Sequence, residues 1–479
     1  MLFLLLGEDF SEKSLNYVKF GRDNSIIAEL NAIAVMKLEK TVVIGGSIAG
    51  LLAARVLAEY CDSVTIIERD KLPLQPYNRK GVPQSVQPHV LLVRGYRILE
   101  ELFPGIGSQL SAAGALTIDW LREFYLFAQG EWSNNAVAPS EIVSFTCSRP
   151  LLEWTIRKRL VEFSQIKFIE QHRAIALLTN SHKTQVTGIK LQSLTGDGIK
   201  DLPASLVVDA SGRSSHAPQW LEDIGMTPPP ETIVNPFLGY ATRRYKPPED
   251  YTADWKVMLI SQEPPQNTRL GYLAKIEGGE LIATVGGYGR DFPPLDEQGF
   301  LAFARSLSSS CFYEIIKDAE PVSPIYAHRA TANRLRHYEQ ILMPKGFVAL
   351  GDAVCALCPV YGQGMTVSAL SAMVLKDWLN NSQLVTSRFQ KNLAKNNSLH
   401  WMLATGQDSR FPTTAGRKQP NKLNKLLAGY NQKLMQMSNI DTELRTLFVE
   451  VSHFLKSPLT FYHPQVIFRV IRSSKRKIK

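Results

Sequence analysis

The chain has 479 residues, of which 44% are hydrophobic and 20% charged. That balance excludes a disordered or fibrous chain and supplies a core for two or three domains. The formal net charge is +10, a surplus able to attract nucleic acid, anionic lipid or anionic cofactors; the densest basic cluster is the tail RVIRSSKRKIK, residues 469–479, not a central stripe. Five scattered cysteines (Cys61, Cys147, Cys311, Cys355 and Cys358) argue against a disulfide framework and fit a reducing, cytoplasmic compartment.

The start, MLFLLL, lacks the basic flank and the longer apolar core of a secretory signal, and no apolar run approaches bilayer length. Residues 1–35 show no period and precede Met36, so the expected reading is an N-terminal extension outside the native chain, with translation starting at Met36. Lys40–Ile44 is a β-branched run ending in glycines, a buried parallel strand by composition. GGSIAG (45–50), a helical LLAARVLAEY and a second strand, SVTIIERD (63–70), complete a β-α-β unit.

GGSIAG is a G-x-G-x-x-G variant with Ser47 at the middle glycine position. Gly45 permits the strand-to-helix turn, and Gly46, Ser47 and Ala49 are small enough to let a diphosphate approach. Gly50 lets helix and strand pack, and the helix N-terminus offers free N–H groups and its dipole. Glu68, 23 residues after Gly45 and followed by Arg69, stands where a carboxylate accepts hydrogen bonds from a ribose diol. The competing reading is a glycine turn in a nucleotide-free α/β protein. The motif does not separate FAD from NAD.

A proline-rich loop follows, then HVLLVRGYRILEELF (89–103) with helical spacing, weakly alternating strands over 124–146, and an amphipathic helix from Arg149 to Phe163. His89 reads either as an acid or base near a cofactor or as a helix cap. Arg79 and Lys80 read as a phosphate site or as solvated loop charge. LVVDASGRSS (206–215) is a buried strand entering a glycine turn, and 225–330 reads as an antiparallel sheet forming a second domain. GGYGRD (286–291) leads into prolines instead of a helix, so it reads as a sheet edge and no separate NAD(P)H domain is expected.

GFVALGDA (346–353) returns to the buried-strand pattern and runs into GDAVCALCPVYGQGMT (351–366), then a helix. Gly351 and Asp352 end the strand; an acid there binds ribityl or ribose hydroxyls of an extended FAD. Pro359 stiffens a turn, Gly362 and Gly364 let backbone N–H groups face a ligand, and the helix from Met365 aims its positive end there. Cys355 and Cys358 spell C-x-x-C, but no second cysteine pair or nearby histidine completes a metal's ligands. They read as two small buried thiols without a redox role, with a thiol–flavin exchange as the alternative. Residues 386–479 read as helical and end basic.

GGSIAG…IIERD, SGRSS and GDAVCALCPVYGQGMT, in that order, resemble the class A flavoprotein monooxygenases of the p-hydroxybenzoate hydroxylase type, over about residues 37–385. RKGVPQ, SRPLLE, RHYE and PVYGQGMT resemble a bacterial subgroup of hydroxylases within that group, and PVYGQGMTV is similar to the corresponding loop of squalene epoxidases. The resemblance implies an α/β fold: a Rossmann-like FAD-binding domain in three parts (36–110, 146–224 and 331–385), a substrate domain (111–145 and 225–330) of α+β character, and the helical region 386–479. It implies FAD held by Gly45, Ser47, Gly50 and Glu68 at the ADP half, by Arg149 and Asp352 in the middle, and by Pro359, Gly362, Gln363, Gly364 and Met365 around the isoalloxazine ring. It implies NAD(P)H as reductant and O2 carried as a flavin C4a-hydroperoxide to a hydrophobic small molecule. The middle motif, Ala-Asp-Gly-x-x-Ser in the family, has Ser211 in place of the acid, which weakens the case for direct use of a nicotinamide.

Two other readings stand beside this one: a reductase of polyprenyl double bonds and an FAD-binding accessory protein without turnover. A halogenase is less expected, because none of the seven tryptophans has a partner two residues away. The segment LTFYHPQVIFRVIRSSKRKIK reads either as a peripheral contact with an anionic membrane or as a packed helix with a basic end. No helix-turn-helix or stacking pattern accompanies the charge, so no nucleic-acid partner is expected.

Overall fold

The computed structural model describes residues 38–476 except 197, 382 and 418–421; the N-terminal extension expected over 1–35 and the last three basic-tail residues lie outside the described residues. Five parallel strands form the central sheet. β1 (Leu38–Ile44) leads through helix α1 (Ile48–Leu57) to β2 (Cys61–Ile67), and helix α2 (Arg149–Leu160) precedes β3 (Ile166–Ile169). β4 (Leu206–Asp209) and β5 (Phe347–Ala349) complete the order β5-β4-β1-β2-β3. β1 from Thr41 onward, and all of β4 and β5, are buried without a break, as strands of a parallel sheet covered on both faces are.

α1 buries eight of its ten residues, and α3 (Gly364–Leu379) packs along it. That packing matters for the site: it brings two glycine turns, some 300 residues apart in sequence, to one edge of the sheet. A Cβ built on Gly351 would lie 2.7 Å from the Ala49 methyl group.

A second, eight-stranded sheet gathers strands from 124–132 and 239–328. Its core pairs are antiparallel, but the strand Phe124–Ala128 lies parallel to Val257–Ile260, which joins the early and late parts of this layer. Two helices, Glu297–Arg305 and Cys311–Ile316, pack on it within the segment expected to form an antiparallel-sheet domain of α+β character. GGYGRD ends the strand Leu281–Gly287 and turns into a loop, as expected. The helix expected over 89–103 begins only at Val93, and a three-stranded sheet from 172 to 203 was not foreseen.

The C-terminal region is helical, as expected: α4 (Thr386–Asp408), α5 (Lys422–Ser438), α6 (Thr442–Ser452) and α7 (Pro464–Arg476). It is tied to the strand Phe124–Ala128 by Arg445 donating to Phe124 O (3.1 Å) and Asn439 donating to Ala128 O (3.1 Å). Among the described residues, no helix is long and apolar enough to cross a membrane.

Candidate functional site

β1 ends at Gly45, whose φ of +107° disfavours any L side chain, and a Cβ there would meet Ala210 O at 2.5 Å. A Cβ at Gly50 would meet Gly45 O at 1.8 Å, so this glycine serves helix–strand packing and does not border the cavity. The Ser47 side chain does not cap α1, which leaves the first N–H groups of the helix facing outward. Its hydroxyl instead donates to Glu153 (3.0 Å) and accepts from Arg149 (2.9 Å).

Glu68, at the end of β2, accepts from the Gly46 N–H (2.9 Å) and the Asp70 N–H (3.0 Å) and pairs with Arg79 (3.1 Å). Arg79 is not solvated loop charge. Its side chain is 6% exposed and bridges Glu68, Asp70 (2.9 Å) and Glu153 (2.8 Å) while donating to Gly46 O. Burial disfavours its charge, but the neighbouring carboxylates outweigh that and raise its pKa. Glu153 also pairs with Arg149 (2.9 Å). Burial pushes the Glu153 carboxyl up, yet the two arginines win and hold it below the ordinary range.

Arg149 is 4% exposed and its Nη1 has no hydrogen-bond partner, although the residue borders the cavity. A buried guanidinium N–H without an acceptor costs free energy that a bound anion would offset. Beside it stand the uncapped starts of α1 and α3; Gln363 at the head of α3 supplies no side-chain cap either. This donor set fits a dinucleotide diphosphate.

Asp352 lies half-buried on the cavity wall; burial pushes its carboxyl up, opposed by Arg213 and Arg149. Pro359 opens a single 3₁₀ turn that Gly362 closes at φ +63°. Gly45, Gly46, Ser47, Ala49, Glu68, Arg69, Arg149, Asp352, Pro359, Gly362, Gly364 and Met365 all border one cavity of about 1050 Å³. Gly351 is buried behind it, and Gln363 is set back with a buried, unpartnered Oε1.

The middle motif joins the same cavity through Ser211, Gly212 and Arg213. An acid serves it after all: Asp209, ending β4, accepts from the Ser211 hydroxyl (2.5 Å), the Ser211 N–H (3.0 Å) and the Ser215 hydroxyl (2.5 Å). Asp209 therefore braces the turn from inside the fold and does not face the cavity.

The other end of the cavity is apolar. Trp120 and the sheet residues Phe124, Val257, Leu259 and Tyr272 line it together with Met435, Phe448 and Val449 from α5 and α6. Two of the histidines that line the cavity are pushed strongly toward the neutral form. Burial, then Arg149, pushes His89 down to about 3, which removes it as a base carrying charge near neutral pH. Burial, then Arg445, does the same to His453, whose Nδ1 accepts from the Val93 N–H (3.1 Å), leaving the proton on Nε2.

The cysteines of the C-x-x-C are free and face different apolar clusters: Cys355 packs with Leu357, Val367 and Ala404, Cys358 with Leu238, Tyr288 and Phe411. Burial raises both thiols, Cys355 to about 12. No group of three His, Cys, Asp or Glu able to hold a metal occurs among the described residues.

Three neighbours of the site escaped the sequence reading: Glu153, Asp209 and Asp408. Asp408, at the end of α4, accepts from Tyr361 (2.5 Å), Asn333 (2.6 Å) and Tyr288 (3.4 Å), while Asn333 accepts the Cys358 N–H (2.7 Å). It anchors the loop 355–362 from below. Glu153 stands four residues after Arg149 at the start of α2, a visible i, i+4 pairing signal; nothing local marked the other two.

No protein-family model matches the chain. Protein Rv3254 of Mycobacterium tuberculosis (strain ATCC 25618 / H37Rv) is 32% identical over 389 residues, 78% of this chain and 81% of that protein. Among solved structures, the flavin-dependent brominase Bmp2 superposes with a TM-score of 0.65 at 14% identity, covering 91% of this chain and 99% of the brominase. A flavoprotein/dehydrogenase from Cytophaga hutchinsonii gives 0.61 at 15%, covering 89% and 95%. PqsL, a probable FAD-dependent monooxygenase from Pseudomonas aeruginosa, gives 0.54 at 16%, covering 85% and 99%. At these identities the likeness is one of fold: a Rossmann-like domain of the flavoprotein type with an added sheet layer and a helical C-terminal region.

Proposed function

The chain belongs to the family of Protein Rv3254, and from that premise we propose that it is an FAD-dependent monooxygenase using NAD(P)H and O2 on a hydrophobic small molecule. One observation carries the reading: a single cavity runs from an anion-seeking glycine turn, past a second helix N-terminus, to an apolar chamber. When bound, FAD supplies the redox and oxygen-activating chemistry.

The protein's own residues bind and orient. Arg149 and the free N–H groups opening α1 take the diphosphate, Glu68 the ribose hydroxyls and Asp352 the ribityl chain. Pro359, Gly362, Gly364 and Met365 flank the ring, and the positive end of α3 favours negative charge developing there. The apolar chamber excludes water and takes a hydrophobic substrate through area burial, with the His453 Nε2–H and the Tyr240 hydroxyl, beside the Cys358 thiol, as its polar handles.

The test is purification followed by reconstitution with FAD, then oxygen uptake and NAD(P)H oxidation across a panel of hydrophobic substrates. Yellow protein with substrate-stimulated, oxygen-dependent oxidation of reductant is expected. Protein that stays colourless after reconstitution refutes the reading. Anaerobic consumption of reductant identifies a double-bond reductase, a halide requirement identifies halogenation, and bound FAD without turnover identifies an accessory protein.

A further inference from the structure

The charge of the chain is segregated. Residues 451–479 hold seven lysines and arginines and no acid, most of the net +10 of the whole protein. This segment builds α7, which lies on the outside of the C-terminal helices.

The two faces of α7 differ. Val466 and Val470 pack onto Leu434, Met437 and Leu444, and Arg469 and Ser473 tie the helix to Asp441 (2.8 and 3.0 Å). On the opposite face, Phe468 is 68% exposed and Ile471 52%, and Arg472 is exposed beside them; Leu459, in the turn leading to α7, is 57% exposed. An aromatic and an aliphatic side chain beside an exposed cation, in a segment rich in lysine and arginine, is the composition of a helix lying in a lipid headgroup layer. A second copy of this chain is a poor occupant, since two such basic surfaces repel each other.

We propose that α7 docks the protein on an anionic membrane surface, with Phe468 and Ile471 entering the acyl boundary and Arg472 meeting lipid phosphates. The same helices connect this surface to the cavity. α5 and α6 face α7 through Leu434, Met437 and Leu444 and face the chamber through Met435, Phe448 and Val449. The apolar chamber thus lies one helix layer from the bilayer. Docking stands without the flavin reading; delivery of a lipid-soluble substrate to that chamber rests on it.

The test is co-sedimentation of the full chain with vesicles of phosphatidylcholine alone or with about 30% phosphatidylglycerol, at roughly 0.1 M and 0.5 M salt, read by protein content and not by activity. Binding to the anionic vesicles only, weakened by salt, is expected. Arg472→Gln with Lys475→Gln lowers partitioning about 25-fold, at about five-fold per cation, and Phe468→Ser roughly ten-fold, with melting temperatures unchanged. Equal binding to both vesicle types, no binding, or variants that bind like the parent overturn the proposal. So does equally tight binding of duplex DNA that Arg472→Gln with Lys475→Gln abolishes, or a dimer in solution that Phe468→Ser dissociates. Vesicle binding by colourless protein leaves this inference standing while refuting the flavin reading.

Discussion

Glu153 is the group whose removal tests the electrostatics of the site most directly. Among the described residues it is the only carboxylate within ion-pair distance of Arg149, and it also holds Arg79. Glu153→Gln keeps the shape and removes the charge. Arg79 retains Glu68 and Asp70, but Arg149 is left buried without a counter-ion. Breaking a buried pair in this way costs about 3–5 kcal/mol, and the surviving Ser47 contact places the loss near the lower figure. A chain of this length gains on the order of 1 kcal/mol/K of entropy at its midpoint, so the ligand-free variant melts about 3 °C lower. The diphosphate of FAD brings the missing negative charge. The rise in melting temperature on adding FAD is therefore at least as large for Glu153→Gln as for the parent, measured by scanning calorimetry with and without FAD. A ligand-free variant melting within about 1 °C of the parent, or one destabilised but no longer raised by FAD, refutes the reasoning.

Three further outcomes follow from particular atoms. At Gly364 a Cβ meets nothing within 4 Å and would project into free space on a residue that borders the cavity. Gly364→Ala therefore melts at or above the parent temperature, by up to about 1 kcal/mol of helix propensity, yet weakens FAD binding by about ten-fold or more through overpacking; unchanged affinity by titration removes the ring from this loop. Burial pushes the Asp408 carboxyl up to about 6, against the hydrogen bonds it accepts. The folded protein thus holds a proton between about pH 4 and pH 6 that the unfolded chain has released, and this contribution is complete below pH 4 and lost as pH rises through 6. In urea unfolding, the stability of Asp408→Asn relative to the parent improves by roughly 2 kcal/mol between pH 4 and pH 7.5; parallel pH profiles refute the assignment. Cys355 and Cys358 are each 1% exposed with raised thiol pKa values, so both resist a thiol reagent in the native protein and react after denaturation. Rapid labelling of either revives a redox role.

The β-α-β start, the buried strands ending in Ile44, Asp209 and Ala349, and the small residues of both glycine turns were legible in the sequence. Their signals are local: a glycine is demanded by the φ of its own residue or by a neighbour a few positions away, as Gly50 is by Gly45. Burial on both faces of the sheet likewise writes itself as an unbroken apolar run. The order of these motifs carried the flavoprotein resemblance, and the fold agrees with it.

What the tertiary structure decided was every partner that is remote in sequence. Arg79 read as a phosphate site or as loop charge, and neither reading named its partners, because Glu68, Asp70 and Glu153 come together only when α2 packs beside the glycine turn. Ser211 read as a lost acid because the carboxylate that replaces its role sits two residues earlier and points inward. Asp408 lies 47 residues from the Tyr361 it holds, and the walls contributed by Met435, Phe448 and His453 come from helices with no motif of their own. Periodicity fixes which face of an element is apolar; which other element covers that face is settled by packing, and the cavity is made of such pairings.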